Sequence, residues 1–243
     1  MTGPHPDQGP GHPPENGLDD GAEAGRDAES RADFIRRHTA LSTAPLVPEL
    51  RLHLATEITP LWEATETWLE RNGVPPPFWA FPWAGGQALA RHVLDHPETV
   101  RGRVVVDFAS GCGLVALAAA RAGAARVTAV EIDPFAIAAI QQNADLNGLA
   151  VETLCADRIG ASLPGAEVLL AGDICYEKPL ADRAMAWFRD LARGGMLVLL
   201  GDPGRTYLPR TGLLPIARHT VPTTRELEDR DERETQVWRV PGA

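Results

Sequence analysis

The sequence is short of several things at once. Its 243 residues hold only three cysteines, Cys112, Cys155 and Cys175, with no CxxC pair among them. Neither a disulfide framework nor a zinc site is therefore expected, and no metal is. No apolar run approaches the roughly 18–20 residues of a membrane span. The opening stretch MTGPHPDQGPGHPPENG has neither the basic nor the apolar region of a secretory leader. These absences predict a cytoplasmic chain with no membrane partner. Positive charge is scarce as well: 23 basic residues face 33 acidic ones, for a net charge of −10. Seven acidic residues and one Arg lie in residues 1–30, which leaves −6 there and −4 in the remainder. Nucleic-acid binders usually carry a basic stripe, so no nucleic-acid partner is expected. Lysine occurs once, at Lys178.

Hydrophobic residues make up 44% of the chain, enough for one sizeable core. Residues 1–27, rich in Pro, Gly and Asp, offer too little apolar surface to offset their ordering entropy and read as a disordered acidic tail. Residues 28–243 read as a single domain, with 28–100 an N-terminal extension and 101–243 its core. In the extension, residues 28–40 and 59–73 read as helices, PELRLHLA at 48–55 alternates like a strand, and VPPPFWAFPWAGG at 74–86 is too Pro-rich to be regular. QALARHVLDHP follows as a helix.

From residue 103 strand and helix alternate: RVVVDFA, GLVALAAARAGA, RVTAVEID, PFAIAAIQQNADLNG, VETLCAD, AEVLLAGD, PLADRAMAWFRDLARGG and MLVLLGDPG. Short links between them imply an α/β fold, a mostly parallel sheet covered on both faces. Two further strand candidates, LLPIARHTVPTTREL and ETQVWRV, follow with no helix between them and could pair antiparallel at one edge.

VVVDFASGCGLVA places Gly111 and Gly113 in the first strand-to-helix turn, with Ser110 before them and Glu131 twenty residues after Gly111. Glycine lets backbone approach a ligand at a helix N-terminus, and an acidic residue at that distance accepts from ribose hydroxyls. The pattern fits NAD in outline. Three carboxylates favour S-adenosylmethionine (SAM) instead. Asp107 precedes the glycines, where a pyrophosphate would be repelled and a sulfonium or ammonium attracted. Asp157 ends the third strand, placed to accept from an adenine amino group. Asp173 ends the fourth, where a methyl group would be delivered. Plainer readings exist: Asp107 as a helix cap, Glu131 as a solvated strand end, Asp157 as a turn former, the glycines as turn residues only. The succession of carboxylates on strand ends, where open α/β sheets bind ligands, weighs against them jointly. The NAD-dependent oxidoreductase reading also lacks a Tyr-x-x-x-Lys constellation, since Tyr176, Tyr207 and Lys178 form none.

In GDICY, Asp173 and Tyr176 sit at the end of the fourth strand. A carboxylate there suits a cationic or strongly donating amine. The plainer alternative is a helix cap with a core tyrosine. Asp-x-x-Tyr at this place resembles the seven-strand SAM-dependent protein-lysine methyltransferases. With PPPFWAFPWAGGQALARHVLD, LLAGDICYEKPLADRAMAWF and LLGDPGR, residues 29–243 resemble the family of electron-transfer-flavoprotein β-subunit lysine methyltransferases. The resemblance implies a Rossmann-like seven-strand fold with an antiparallel edge strand and a helical N-terminal extension. It implies SAM as cofactor, the flavoprotein β subunit as protein substrate, and a monomeric enzyme. Its aromatic-Gly stretch falls on Trp79, Trp83, Gly85 and Gly86, expected to close over SAM, although core packing is the commoner fate of Trp. Asp173 and Tyr176 are the expected catalytic pair. Arg205, in GDPGR, is expected to face the protein substrate. A small-molecule N-methyltransferase for a nicotinamide-like amine is the alternative, and a catalytically silent SAM-fold binding module a further one.

Overall fold

Apolar runs rich in Val and Leu build most of the sheet. The computed structural model describes residues 30–56 and 76–242; the expected tail at 1–27 and the expected helix at 59–73 lie outside the described residues. Val104–Phe108 (β3), Arg126–Glu131 (β4), Glu152–Cys155 (β5), Val168–Gly172 (β6) and Leu197–Asp202 (β7) run parallel. Their side chains alternate between two apolar layers. Val105, Leu170 and Leu199 enter one, Val106, Leu169 and Val198 the other, as the two-residue period of a strand requires.

Helices Ala84–Asp95 (α2) and Leu114–Arg121 (α3) cover the first layer with Leu89, Val93 and Leu117. Helix Lys178–Arg193 (α5) covers the second with Met185, Trp187 and Phe188. Helix Pro134–Asn147 (α4) starts where Asp133 accepts from the Phe135 amide, has Pro134 in its first turn, and stops at Gly148 with φ 62°. The last two strands pair antiparallel as expected, but a four-residue helix, Arg225–Glu228, stands between them where none was expected. Glu232–Val240 (β9) pairs with β7, and Leu214–Pro222 (β8) pairs with β9. The seven-stranded order is β5-β4-β3-β6-β7-β9-β8.

In the extension, Ser30 caps helix Arg31–His38 (α1). Strand Val47–Leu54 (β2) pairs with Ala40–Ala44 (β1), which ALSTA did not announce because it carries no apolar alternation. The hairpin is tied to α4 through Asn143 and Asn147, whose Oδ1 atoms accept from the His53 and Arg51 amides at 2.8 and 3.0 Å. Among the described residues no helix is long and apolar enough to cross a membrane.

Helix α2 begins at Ala84, so Gly85 and Gly86 lie inside its first turn rather than in irregular chain. A Cβ on Gly85 would collide with the Gly201 carbonyl oxygen and stand 2.6 Å from Asp173 Oδ2, whereas one on Gly86 would meet only Val115 at 4.0 Å. Overpacking of this kind costs about 1–3 kcal/mol or more. Chemical denaturation should therefore find Gly85→Ala destabilised by at least about 2 kcal/mol and Gly86→Ala within about 1 kcal/mol of wild type. Equal stability of the two variants would contradict this packing.

Candidate active site

The C-terminal ends of β3, β4, β6 and β7 open on one side of the sheet, and the candidate residues divide between two places there. The first is the glycine turn between β3 and α3. Ala109, Gly111 and Gly113 all take positive φ, at 54°, 53° and 80°. At Gly113 a side chain would press on Ile140 Cγ1 at 3.0 Å, so only glycine fits both the backbone and the space. Ser110 Oγ donates to the Asp107 carbonyl at 2.8 Å and closes the turn. Buried Asn143 donates to the Cys112 carbonyl at 2.9 Å, tying the turn to α4.

Glu131, at the end of β4, accepts from the Gly111 amide at 3.1 Å and from the Ile132 amide at 2.7 Å. Burial nevertheless raises its pKa above the ordinary carboxylate range. Asp107 is 1% exposed and accepts from the Ala116 amide at 3.0 Å in the first turn of α3. This contact is the helix-capping alternative. Burial, only partly opposed by that bond, pushes Asp107 up to about 7.

Trp79 is buried, stacked on Phe135 with centroids 6.5 Å apart, and its Nε1 has no hydrogen-bond partner among the described residues. Its Cα stands 4.0 Å from where a Gly111 Cβ would be, so this segment walls the glycine turn. Asp157 is drawn elsewhere. It lies beyond the end of β5, accepts from the Ile159 amide at 2.9 Å and pairs with Arg183 at 3.0 Å, both side chains being more than half exposed. The amide bond, then Arg183, holds its pKa below the usual value. These contacts are those of a turn former.

The second place is the end of β6. Asp173 takes a left-handed backbone, φ 56° and ψ 27°. Its side chain is 9% exposed. Oδ2 accepts from the Gly86 amide at 2.9 Å; Oδ1 accepts from Arg205 Nε at 3.0 Å and Nη2 at 2.6 Å. Burial raises the Asp173 pKa, and Arg205 opposes the shift. Gly85 and Gly86 thus support Asp173, and the Trp83 ring faces Arg205, 5.5 Å from the guanidinium carbon, with Nε1 donating to the Phe78 carbonyl at 2.8 Å.

The expectation that Arg205 faces a protein substrate is corrected. Its side chain is 16% exposed and turned inward, because a buried carboxylate requires a counter-ion. Arg205 also grips Glu228, at 2.7 and 3.2 Å. Tyr176 is 45% exposed, with its ring 5.9 Å from that of Phe78, which is itself 53% exposed. Asp202, buried at the end of β7, accepts from the Gly204 and Arg205 amides at 2.7 Å each through Oδ1, while Oδ2 has no partner. Burial first, then the Asp173 charge, pushes it up to about 7.

Sequence reasoning did not single out Asn143, Asp202 or Glu228. Asp202 was at least visible within GDPGR; Glu228 lies in a charged run, RELEDRDERE, that reads as solvated. A cavity of about 500 Å³ opens at the other end of the strands, among Arg103, Glu167, Asp190 and Leu197, away from all these groups.

A family model described as ribosomal protein L11 methyltransferase (PrmA) matches residues 88–171. The electron transfer flavoprotein beta subunit lysine methyltransferase of Xenopus laevis is 36% identical over 84% of this chain and 85% of its own length. That of Danio rerio is 37% identical over 85% and 82%, and the human protein 38% over 76% and 70%. Among solved structures, a Pyrococcus horikoshii protein provisionally assigned to the RNA methyltransferases superposes with a TM-score of 0.51 at 14% identity, covering 63% of this chain and 82% of that one. This likeness concerns the fold.

Asp202 yields a stability prediction. Its folded pKa is raised from 3.8 to about 7, so its share of stability is full below pH 4 and lost as pH rises through 7. Asp202→Asn keeps the acceptor for both amides and cannot ionise. Its melting temperature relative to wild type should therefore climb between pH 5 and pH 7 and level off above it, by the equivalent of about 3 kcal/mol. A difference that stays flat with pH would show that Asp202 ionises without cost.

Proposed function

The chain belongs to the electron transfer flavoprotein beta subunit lysine methyltransferase family, and we propose that it uses SAM to methylate lysine side chains of the β subunit of electron-transfer flavoprotein. The observation that carries this reading is Asp173, a buried carboxylate at a strand end, next to half-exposed Tyr176. A fixed acceptor of hydrogen bonds beside an open aromatic rim suits a cationic side chain that arrives on a protein.

The glycine turn fits SAM. Gly111 and Gly113 leave backbone bare at a helix N-terminus, Glu131 is positioned for ribose hydroxyls, and Trp79 brings a buried N–H without a partner among the described residues. When bound, SAM supplies a methyl group on a cationic sulfonium, open to in-line displacement by a neutral amine. Asp107 and Glu131 place negative charge on that side of the sheet. Asp157, engaged with Arg183, contributes to adenine binding in this reading only if that surface pair opens.

A free lysine has a pKa near 10.4, so its neutral form costs about 4–5 kcal/mol at pH 7. Asp173 by itself favours the ammonium, and burial favours the neutral amine. We assign Asp173 and Tyr176 to positioning. The Gly86 amide occupies one acceptor direction of Asp173 Oδ2, and the other can accept from the amine. The proton leaves to water, and orientation alone can contribute several kcal/mol. A small amine would need an enclosed pocket, whereas Tyr176 and Phe78 lie open. The reading has the enzyme act as a cytoplasmic monomer, with no nucleic-acid or membrane partner.

Calorimetry should show SAM and its demethylated product binding the purified protein. Glu131→Ala should weaken both by about 1.5–3 kcal/mol for each charge-assisted bond lost. Tight NAD binding with no SAM binding would sink the cofactor assignment. Asp173→Ala should keep most SAM affinity and lose transfer, with Tyr176→Phe less damaged. Intact-mass analysis should find methyl units on the flavoprotein β subunit of the same organism, abolished by replacing the modified lysines with Arg. Labelled methyl on nicotinamide and never on the flavoprotein would favour the small-molecule alternative.

A further inference from the structure

Glu228 ends the four-residue helix Arg225–Glu228 (α6), in the connection between the antiparallel strands β8 and β9. The run around it is charged, yet its side chain is 1% exposed. Arg205 Nη2 donates to Oε1 at 2.7 Å and Nη1 to Oε2 at 3.2 Å. Arg205 spends Nε and its second Nη2 hydrogen on Asp173 Oδ1. One planar guanidinium therefore joins two buried carboxylates, with the Trp83 ring over its face. On the outer side, Arg233 Nε stands 3.3 Å from Glu228 Oε2.

Two consequences follow for Asp173. Its carboxylate cannot rotate without breaking the fork, so the acceptor direction left on Oδ2 is fixed. Asp173, Glu228, Arg205 and Arg233 together carry no net charge, so the pull of the group on a lysine side chain is set by where Asp173 Oδ2 is aimed. We propose that Glu228 is a positioning residue of the acceptor site, holding Arg205, and through it Asp173, in the orientation that receives the lysine amine of a protein substrate. The proposal rests on the protein-lysine reading of Asp173.

The test uses the full-length protein, SAM and the flavoprotein β subunit. Glu228→Gln keeps the shape and removes the charge. It should lose roughly tenfold or more in kcat/KM for the flavoprotein, mostly through KM, with the dissociation constant for SAM within about twofold of wild type. In an Arg205→Lys background, where no planar fork bridges the carboxylates, the same substitution should cost less than about threefold. A purely structural Glu228 would cost the same in both backgrounds, and that result overturns the proposal. Wild-type kcat/KM in Glu228→Gln overturns it too and leaves the lysine reading standing. If Glu228→Gln does not fold, Glu228→Asp carries the same cycle. A wild-type enzyme that methylates no flavoprotein lysine overturns the lysine reading and this proposal with it.

Discussion

The constraint on which the end of β6 depends is the burial of the Asp173 carboxylate. Taking an ion out of water costs several kcal/mol even after relaxation, unless it is paired and hydrogen-bonded. Arg205 supplies the pair, and its approach dictates much of what surrounds it. Asp202 accepts from the Gly204 and Arg205 amides and bends the chain so that the guanidinium returns to β6. Gly85 lacks a side chain because Asp173 Oδ2 and the Gly201 carbonyl already fill that space. The left-handed backbone at residue 173 brings the carboxylate over the first turn of α2, where the Gly86 amide meets it.

The glycine-turn side is built on the opposite principle. Among the described contacts, Asp107 and Glu131 are held by backbone amides and have no guanidinium beside them. Burial raises both pKa values, Asp107 to about 7. A cationic group bound there would relieve them, whereas a pyrophosphate would add to the repulsion. The two places thus differ in how their carboxylates are compensated: one by arginine, the other, among the described contacts, by backbone amides.

Much of the fold was legible because its signals are local. The buried strands announce themselves as short runs of Val and Leu, the helices by Pro134, Gly148 and apolar periodicity, and the glycine turn by its spacing from Glu131. Strand β1 was not legible, since ALSTA acquires its pairing only from β2. The start of α2 was obscured by Pro82 and the two glycines, which serve close packing against β6 and β7. Asp107 and Asp157 were identified with alternatives, and for each the described contacts match the plainer one. Arg205 was misplaced because nothing local says that it meets a carboxylate 32 residues earlier and another 23 residues later.

Topology explains why Glu228 reaches the site at all. Had β8 paired directly with β7 and run antiparallel to it, the β8–β9 connection would fall at the N-terminal end of the parallel strands. The observed order places β9 against β7, with Gln236 opposite Asp202 and Glu232 opposite Pro222. The end of β8 and the beginning of β9 therefore stand at the C-terminal end of β7, beside Asp202 and the turn that carries Arg205. Residues 223–231 must cross that end, and α6 turns Glu228 inward from it. The antiparallel edge thus does more than cover the sheet: it carries the second carboxylate to the guanidinium that fixes Asp173. A charged run that looks solvated in the sequence becomes part of the site because of the order in which two antiparallel strands pair.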